Sequence, residues 1–213
     1  MKTDDLIAML GTNVEPVDHG RVLRSVSAGV AVSVAAAVAA MLFIFGVRTD
    51  LMEVDALAFL LLKLVFTVGI LVLASIYLLR LARPGGERRI SITFMALPFV
   101  GIMLLAAISF AFAPISYWDD MIVGDRWLEC LLSIPIIAIV PFTVMIWALR
   151  RAAPTDLVRA GALGGLVAGA VSATGYALHC MDDSLPFVAL WYGGTIAVCT
   201  AAGALLGPRL LRW

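Results

Sequence analysis

The chain has 213 residues, 62% of them hydrophobic, with a mean hydropathy of +1.04 and 15 basic residues cancelled by 15 acidic ones. A soluble domain of this size is nearer half apolar, so the composition excludes one and points to an all-α integral membrane protein; the cancelled charge gives no reason to expect direct nucleic-acid binding. Three cysteines make no secreted disulfide scaffold, and no CxxC, HExxH, GxGxxG or Walker pattern offers a thiol oxidoreductase, a zinc hydrolase or a nucleotide motor a starting motif, so no enzyme and no required cofactor is expected.

Residues 1–24, MKTDDLIAMLGTNVEPVDHGRVLR, are the one sizeable polar segment ahead of the apolar runs. Thr3 can N-cap a short helix, Asp4 and Asp5 suit the positive end of its dipole, and Gly11 supplies a stop. Leu6, Met9 and Leu10 share one face with Ile7 beside it. A helix of about two turns is marginal alone in water. Its apolar face therefore either lies on the bilayer and the bundle or docks on a partner and orders there.

Six apolar blocks follow, each near the roughly 20 residues that cross a bilayer as helix. They fall at about residues 25–47, 56–80, 91–113, 128–149, 157–178 and 186–206, with a tail at 207–213. The first is too long for the apolar core of a cleaved signal peptide and has five more behind it. Basic residues set the orientation. With the N-terminus cytoplasmic, Lys2, Arg21, Arg24, Arg80, Arg83, Arg88, Arg89, Arg150, Arg151, Arg159, Arg209 and Arg212 lie inside, Arg48 and Arg126 outside, and Lys63 within a span. The outer side holds Asp50, Glu53, Asp55, Asp119, Asp120, Asp125, Glu129, Asp182 and Asp183. Such a face attracts cations, although translocated loops also become acidic simply by avoiding basic residues.

Lys63 is the one cation deep in a span. It stands eight positions from Asp55, about 12 Å of helix rise. Buried charges in membranes are paired or functional. Snorkelling outward toward Asp55 or Glu129 is the simpler expectation; a small transporter or channel using Lys63 and the acidic mouth is the alternative. Spans three and four contain Pro98, Pro135 and Pro141, each removing an intrahelical bond and favouring a kink. Span five carries Gly161, Gly165, Gly169 and Ala173 at intervals of four, and span six Gly193, Ala197 and Ala201. These small-residue ladders predict a tight hairpin of the last two spans.

Between spans three and four lies Tyr117–Cys130, YWDDMIVGDRWLEC, around which the outer face is organised. Cys130 opens span four beside Glu129, and Cys180 closes span five beside His179, in LHCMDDS. Both are expected near the outer water interface, whereas Cys199, mid-span, is expected only to pack. Three readings of the pair stay open: two unrelated interfacial cysteines, a disulfide tying spans four and five, or a soft-cation site completed by His179, Glu129 and Asp182.

A TDDLIAML segment at the N-terminus, six spans, a WDD-containing outer loop, and single cysteines opening span four and closing span five together resemble the NrsF-type family. These are bacterial inner-membrane anti-sigma factors that hold an extracytoplasmic-function sigma factor. The resemblance implies that residues 1–24 help to sequester the sigma factor, with the inner loops, Arg80–Arg89 among them, as the other cytoplasmic surface. It also implies that Cys130 and Cys180 sense oxidative or heavy-metal stress, a soft metal ion acting at most as a transient signal. The zinc-binding HxxxCxxC pattern of soluble anti-sigma factors is absent from this sequence.

The charge bias makes the topology testable. A reporter fused after Trp213 should be active only in a cytoplasmic form, and one inserted within Asp119–Gly124 only in an exported form. Swapped activities would reverse every assignment of inner and outer residues.

Overall fold

A computed structural model describes residues 19–81, 93–152 and 154–212, together with Thr3. The six helices long and apolar enough to cross a membrane are α1 (His19–Ile44), α2 (Val54–Leu81), α3 (Thr93–Phe112), α5 (Trp127–Arg150), α6 (Leu157–Ala177) and α7 (Leu185–Leu210). No strand occurs among the described residues. The protein is an all-helical, multi-pass membrane protein. Helix α1 reaches back into the segment expected to be polar, beginning at His19 rather than near residue 25. The docking residues expected at Leu6, Ile7, Met9 and Leu10 lie outside the described residues.

Helix α6 is the axis of the bundle. Its sequence, LVRAGALGGLVAGAVSATGYA, holds no side chain larger than leucine before Arg159 and Tyr176 are counted, and most of it is buried. Thin helices let neighbours approach, and without a hydrophobic drive inside lipid that close approach is what holds a bundle together. Helices α1, α2, α5 and α7 all pack on α6, while α3 sits outside, against α2 and the start of α7. Of α3, only Ile102 and Ala106 are buried, so most of its surface is left to lipid. Asp156 caps α6 by accepting from the Arg159 N–H at 2.9 Å, as an N-cap aspartate should.

The expected hairpin of the last two spans is present, but in a different register. A Cβ on Gly161 would stand 2.3 Å from the Gly203 carbonyl oxygen, one on Gly165 2.3 Å from that of Cys199, and one on Gly207 2.5 Å from that of Leu157. The α7 ladder is therefore Cys199, Gly203 and Gly207. Ala197 and Ala201, expected at the contact, are exposed, and Gly193 faces Phe99 and Phe66 instead. Two small-residue ladders run along α7 at the same four-residue interval, and spacing alone does not say which one meets α6. Gly169 completes the seam against Cys199 and Ile196, giving Cys199 the packing role expected of it.

Pro98, Pro135 and Pro141 lie inside α3 and α5. The Pro141 carbonyl accepts from the buried Ser33 hydroxyl of α1 at 3.4 Å. Helix α7 begins with a short α-turn, Leu185–Phe187, then a π-helical stretch, Val188–Tyr192. Such stretches re-aim side chains and recur at functional sites.

The seam predicts opposite outcomes for two substitutions. Gly165→Val drives methyl groups into the α7 backbone and should destabilise the detergent-solubilised protein by at least about 1–3 kcal/mol, the ordinary cost of overpacking. Gly69→Ala, where an added Cβ meets nothing within 4 Å, should be neutral or stabilising by up to about 1 kcal/mol, the helix-propensity difference. Thermal unfolding followed by circular dichroism distinguishes the two.

Candidate functional site

At one end of the bundle, the turns after α1, α3 and α6 meet over the starts of α5 and α7. Helix α1 ends on Gly46, whose φ of 76° is the left-handed conformation of a helix C-terminal stop. The chain then doubles back, and the Arg48 N–H donates to the Leu178 carbonyl at 3.0 Å. The stretch after α3, expected as a loop, folds as a 3-10 turn, Ile115–Tyr117, and a six-residue helix, α4 (Trp118–Val123). Gly124 terminates α4 with φ of 60°, and a Cβ there would press into the Phe187 ring at 2.7 Å. Two bonds hold α4 onto α7: the Trp191 indole donates to the Ile122 carbonyl at 2.7 Å, and the Ser184 hydroxyl donates to the Met121 carbonyl.

Beneath these turns lies a cluster of four charges. Lys63 is 0% exposed and Arg48 2%. The Lys63 Nζ is 2.7 Å from Asp183 Oδ1 and donates to the Cys180 carbonyl at 3.0 Å. Arg48 meets Asp183 through its two terminal guanidinium nitrogens, at 2.6 and 3.1 Å, and donates to the same Cys180 carbonyl at 3.3 Å. Its remaining donors grip Asp50 in a two-point fork, at 2.6 and 2.7 Å, the strong geometry for this pair. Asp50 and then Asp183 hold the Arg48 guanidinium well above its ordinary range, and Arg48 in turn holds the Asp50 carboxyl below the usual carboxylate range. Lys63 therefore does not snorkel toward Asp55 or Glu129. It is paired inside the protein with Asp183, 120 positions away.

Both cysteines of interest are free thiols and fully buried, each at 0% exposure. They were expected at the water interface; both instead belong to the hydrophobic core, together with Phe187, Val188 and Tyr192 from the start of α7. They are within electrostatic reach of each other, of Lys63 and of Asp182. The Tyr192 hydroxyl lies beside the Cys180 thiol. It and the Tyr176 hydroxyl are buried without a well-formed hydrogen bond. Burial pushes the Cys180 thiol above its ordinary value, with Lys63 opposing that rise. The resting thiol is thus protonated and shielded, which keeps it unreactive.

The other expected metal ligands are engaged elsewhere. Asp182 accepts from the Asp125 and Arg126 N–H groups at 3.2 and 3.0 Å, tying the α4–α5 turn to the Cys180 turn. Glu129 pairs with Arg126 at 3.4 Å on the surface. The His179 ring bridges Gly46 O at 3.2 Å and the Arg126 guanidinium at 3.4 Å. Among the described residues no group of three or more His, Cys, Asp or Glu is arranged to hold a metal ion.

The sequence model of the family described as "Negative regulator of sigma F" (NrsF) matches residues 10–213. The chain belongs to this family. Two relatives align over their whole length and the whole of this chain: a "Probable anti-sigma-F factor NrsF" from Azospira oryzae, 32% identical, and an "Anti-sigma-F factor NrsF" from Caulobacter vibrioides, 33% identical. No solved structure matches. NrsF proteins are regulators, and an anti-sigma factor has a sigma factor as its partner.

Sequence reasoning brought Cys130, Cys180 and Lys63 of this NrsF protein to attention, but not Arg48 or Asp183. Arg48 looked like an ordinary outer charge, and Asp183 like one of several loop carboxylates. The available signal was charge asymmetry: Arg48 is one of only two basic residues that the charge bias assigns to the outer side. Tyr192 and Trp191 gave no such signal, because aromatic residues near a span end also serve as interfacial anchors.

Proposed function

We propose that this protein is an inner-membrane anti-sigma factor that holds a sigma factor of the extracytoplasmic-function type through its cytoplasmic N-terminal segment. It releases that partner when Cys130 and Cys180 react. Family membership supports the partner class; the relatives are named for sigma F. The basic-residue bias supports a cytoplasmic N-terminus. Leu6, Ile7, Met9 and Leu10 supply the apolar docking face, with the inner loops beside them. The observation that carries the sensing half is the burial of two free thiols at the same end of the bundle, one at the start of α5 and one in the turn after α6.

Chemistry and conformation are coupled by that burial. A soft cation or an oxidant cannot reach either sulfur while the Cys180 turn sits on α5 and α7. A thiol that has lost its proton to bind a metal ion, or that an oxidant has converted by taking two electrons, either alone or joined to the other thiol as a disulfide, no longer fits the closed packing. Reaction therefore favours an open arrangement of α5 and α6, and a ligand shifts an equilibrium by its differential affinity for the two states. No resident cofactor is needed; the stress agent itself is the ligand. Pro135 and Pro141 place weakened helix bonds in α5 between Cys130 and the far end of the bundle.

The two halves separate by substitution. Leu6→Asp or Leu10→Asp should abolish co-purification of the sigma factor without lowering the amount of protein in the membrane. Cys130→Ser, Cys180→Ser and the double change should each remove most of the transcriptional response to cadmium-like cations or oxidants. The double variant should resemble either single one, because groups sharing one interaction are not additive. Basal repression should persist in all three, and Cys199→Ser should respond normally. Normal induction in the double variant would remove sensing from the account and leave partner binding standing.

A further inference from the structure

We infer that Lys63, Arg48 and Asp183 are positioning residues for Cys180, a clasp that holds the thiol's turn closed; this rests on the reading of Cys180 as a sensor. Nothing in the chemistry of sensing requires a lysine in the middle of a span. The structure supplies a use for it. Residues 180 and 183 are two of the points at which the α6–α7 turn is held, and the same two cations hold both. Lys63 and Arg48 each donate to the Cys180 carbonyl and each contact the Asp183 carboxylate. One cation comes from α2 and the other from the α1–α2 turn, so the clasp fastens the thiol's turn to the first two spans. For the turn to move, Lys63 must give up both of its acceptors and Arg48 all but Asp50, and a buried cation without a partner is strongly disfavoured.

The clasp is neutral as a unit. Arg48 and Lys63 face Asp50 and Asp183, and Asp50 bonds Arg48 alone. Asp183→Asn leaves two buried cations against one carboxylate, with Lys63 keeping only the Cys180 carbonyl and a neutral amide. Lys63→Met leaves one excess negative charge, on carboxylates whose side chains are 20% and 29% exposed and can draw water. Making both changes restores neutrality around Arg48 and Asp50. The expected order of disruption is therefore Asp183→Asn above Lys63→Met, with the double variant milder than Asp183→Asn alone. Independent surface charges would give no such reversal. Removing Lys63 also removes a cation that favours thiolate. That effect is the smaller one, because Asp183 at 2.7 Å opposes the Lys63 charge, while burial at 0% exposure limits access to the sulfur.

The test uses full-length protein in lipid nanodiscs with Cys130→Ser and Cys199→Ser, leaving Cys180 as the one thiol, and measures its rate of alkylation by a maleimide. The parent should react slowly. Asp183→Asn should accelerate labelling at least tenfold and Lys63→Met several-fold, and the double variant should fall below Asp183→Asn. A matched protein retaining only Cys199, which lies in the α6–α7 seam, reports global loosening and should label at an unchanged rate in every variant. An unchanged Cys180 rate in Asp183→Asn overturns the clasp. So does a double variant faster than either single one, or equal acceleration at Cys199. The sensor reading fails separately, by normal stress induction with Cys180→Ser, whatever the labelling rates show.

Discussion

The architecture at the Cys180 end of the bundle depends on one carboxylate, Asp183, shared between two buried cations. A cation in the middle of a membrane protein has to find an acceptor inside the protein or draw water inward. Lys63 and Arg48 find the same two acceptors, the Asp183 carboxylate and the Cys180 carbonyl. Removing one partner from such a buried group costs on the order of 3–5 kcal/mol, comparable with the whole stability margin of many proteins. The cluster therefore fixes where the α6–α7 turn lies. With that turn fixed, Asp182 can hold the start of α5, Ser184 and Trp191 can hold α4, and the two thiols are closed over.

The rest of the bundle is built to keep that end in register with the other. Helix α6 carries the Cys180 turn at one end and meets α7 through glycine contacts too close for any Cβ at the other. A seam in which carbonyl oxygens touch glycine Cα atoms cannot slide by small amounts, since packed interfaces are bistable rather than continuously deformable. In the proposed mechanism this seam is what carries a displacement at the Cys180 turn along α6 and α7 as a pair. Where α7 ends, the Arg150 guanidinium of α5 donates to the Leu210 carbonyl at 2.6 Å, so the helix that carries Cys130 is tied to the same pair.

Much of this was legible in the sequence, and the failures share a cause. Six spans of the right length follow from hydropathy, and the α6–α7 hairpin from glycine spacing, because both are local patterns. The register of that hairpin was misread: Ala197 and Ala201 form as good a ladder as Gly203 and Gly207, and only the partner helix chooses between them. Lys63 was expected to reach outward toward Asp55 or Glu129. Its actual partner is 120 positions away, and no spacing rule reaches that far. The cysteines were expected at a water interface because each lies at a span end. They lie instead in a core shared with Phe187, Val188 and Tyr192, at the π-helical start of α7, a short element that hydropathy does not resolve.

The central claim is that reaction at the buried thiols opens the packing that retains the partner. It is tested most directly on the purified complex of this protein with its sigma factor in nanodiscs, free of other cellular components. The complex is titrated with cadmium ion or a small thiol oxidant, and free sigma factor is measured by size-exclusion chromatography. Release from the parent complex, absent from the Cys130→Ser, Cys180→Ser double variant at the same dose, is the expected result. Equal release from both proteins, or a parent complex that stays intact although both thiols have reacted, would contradict it.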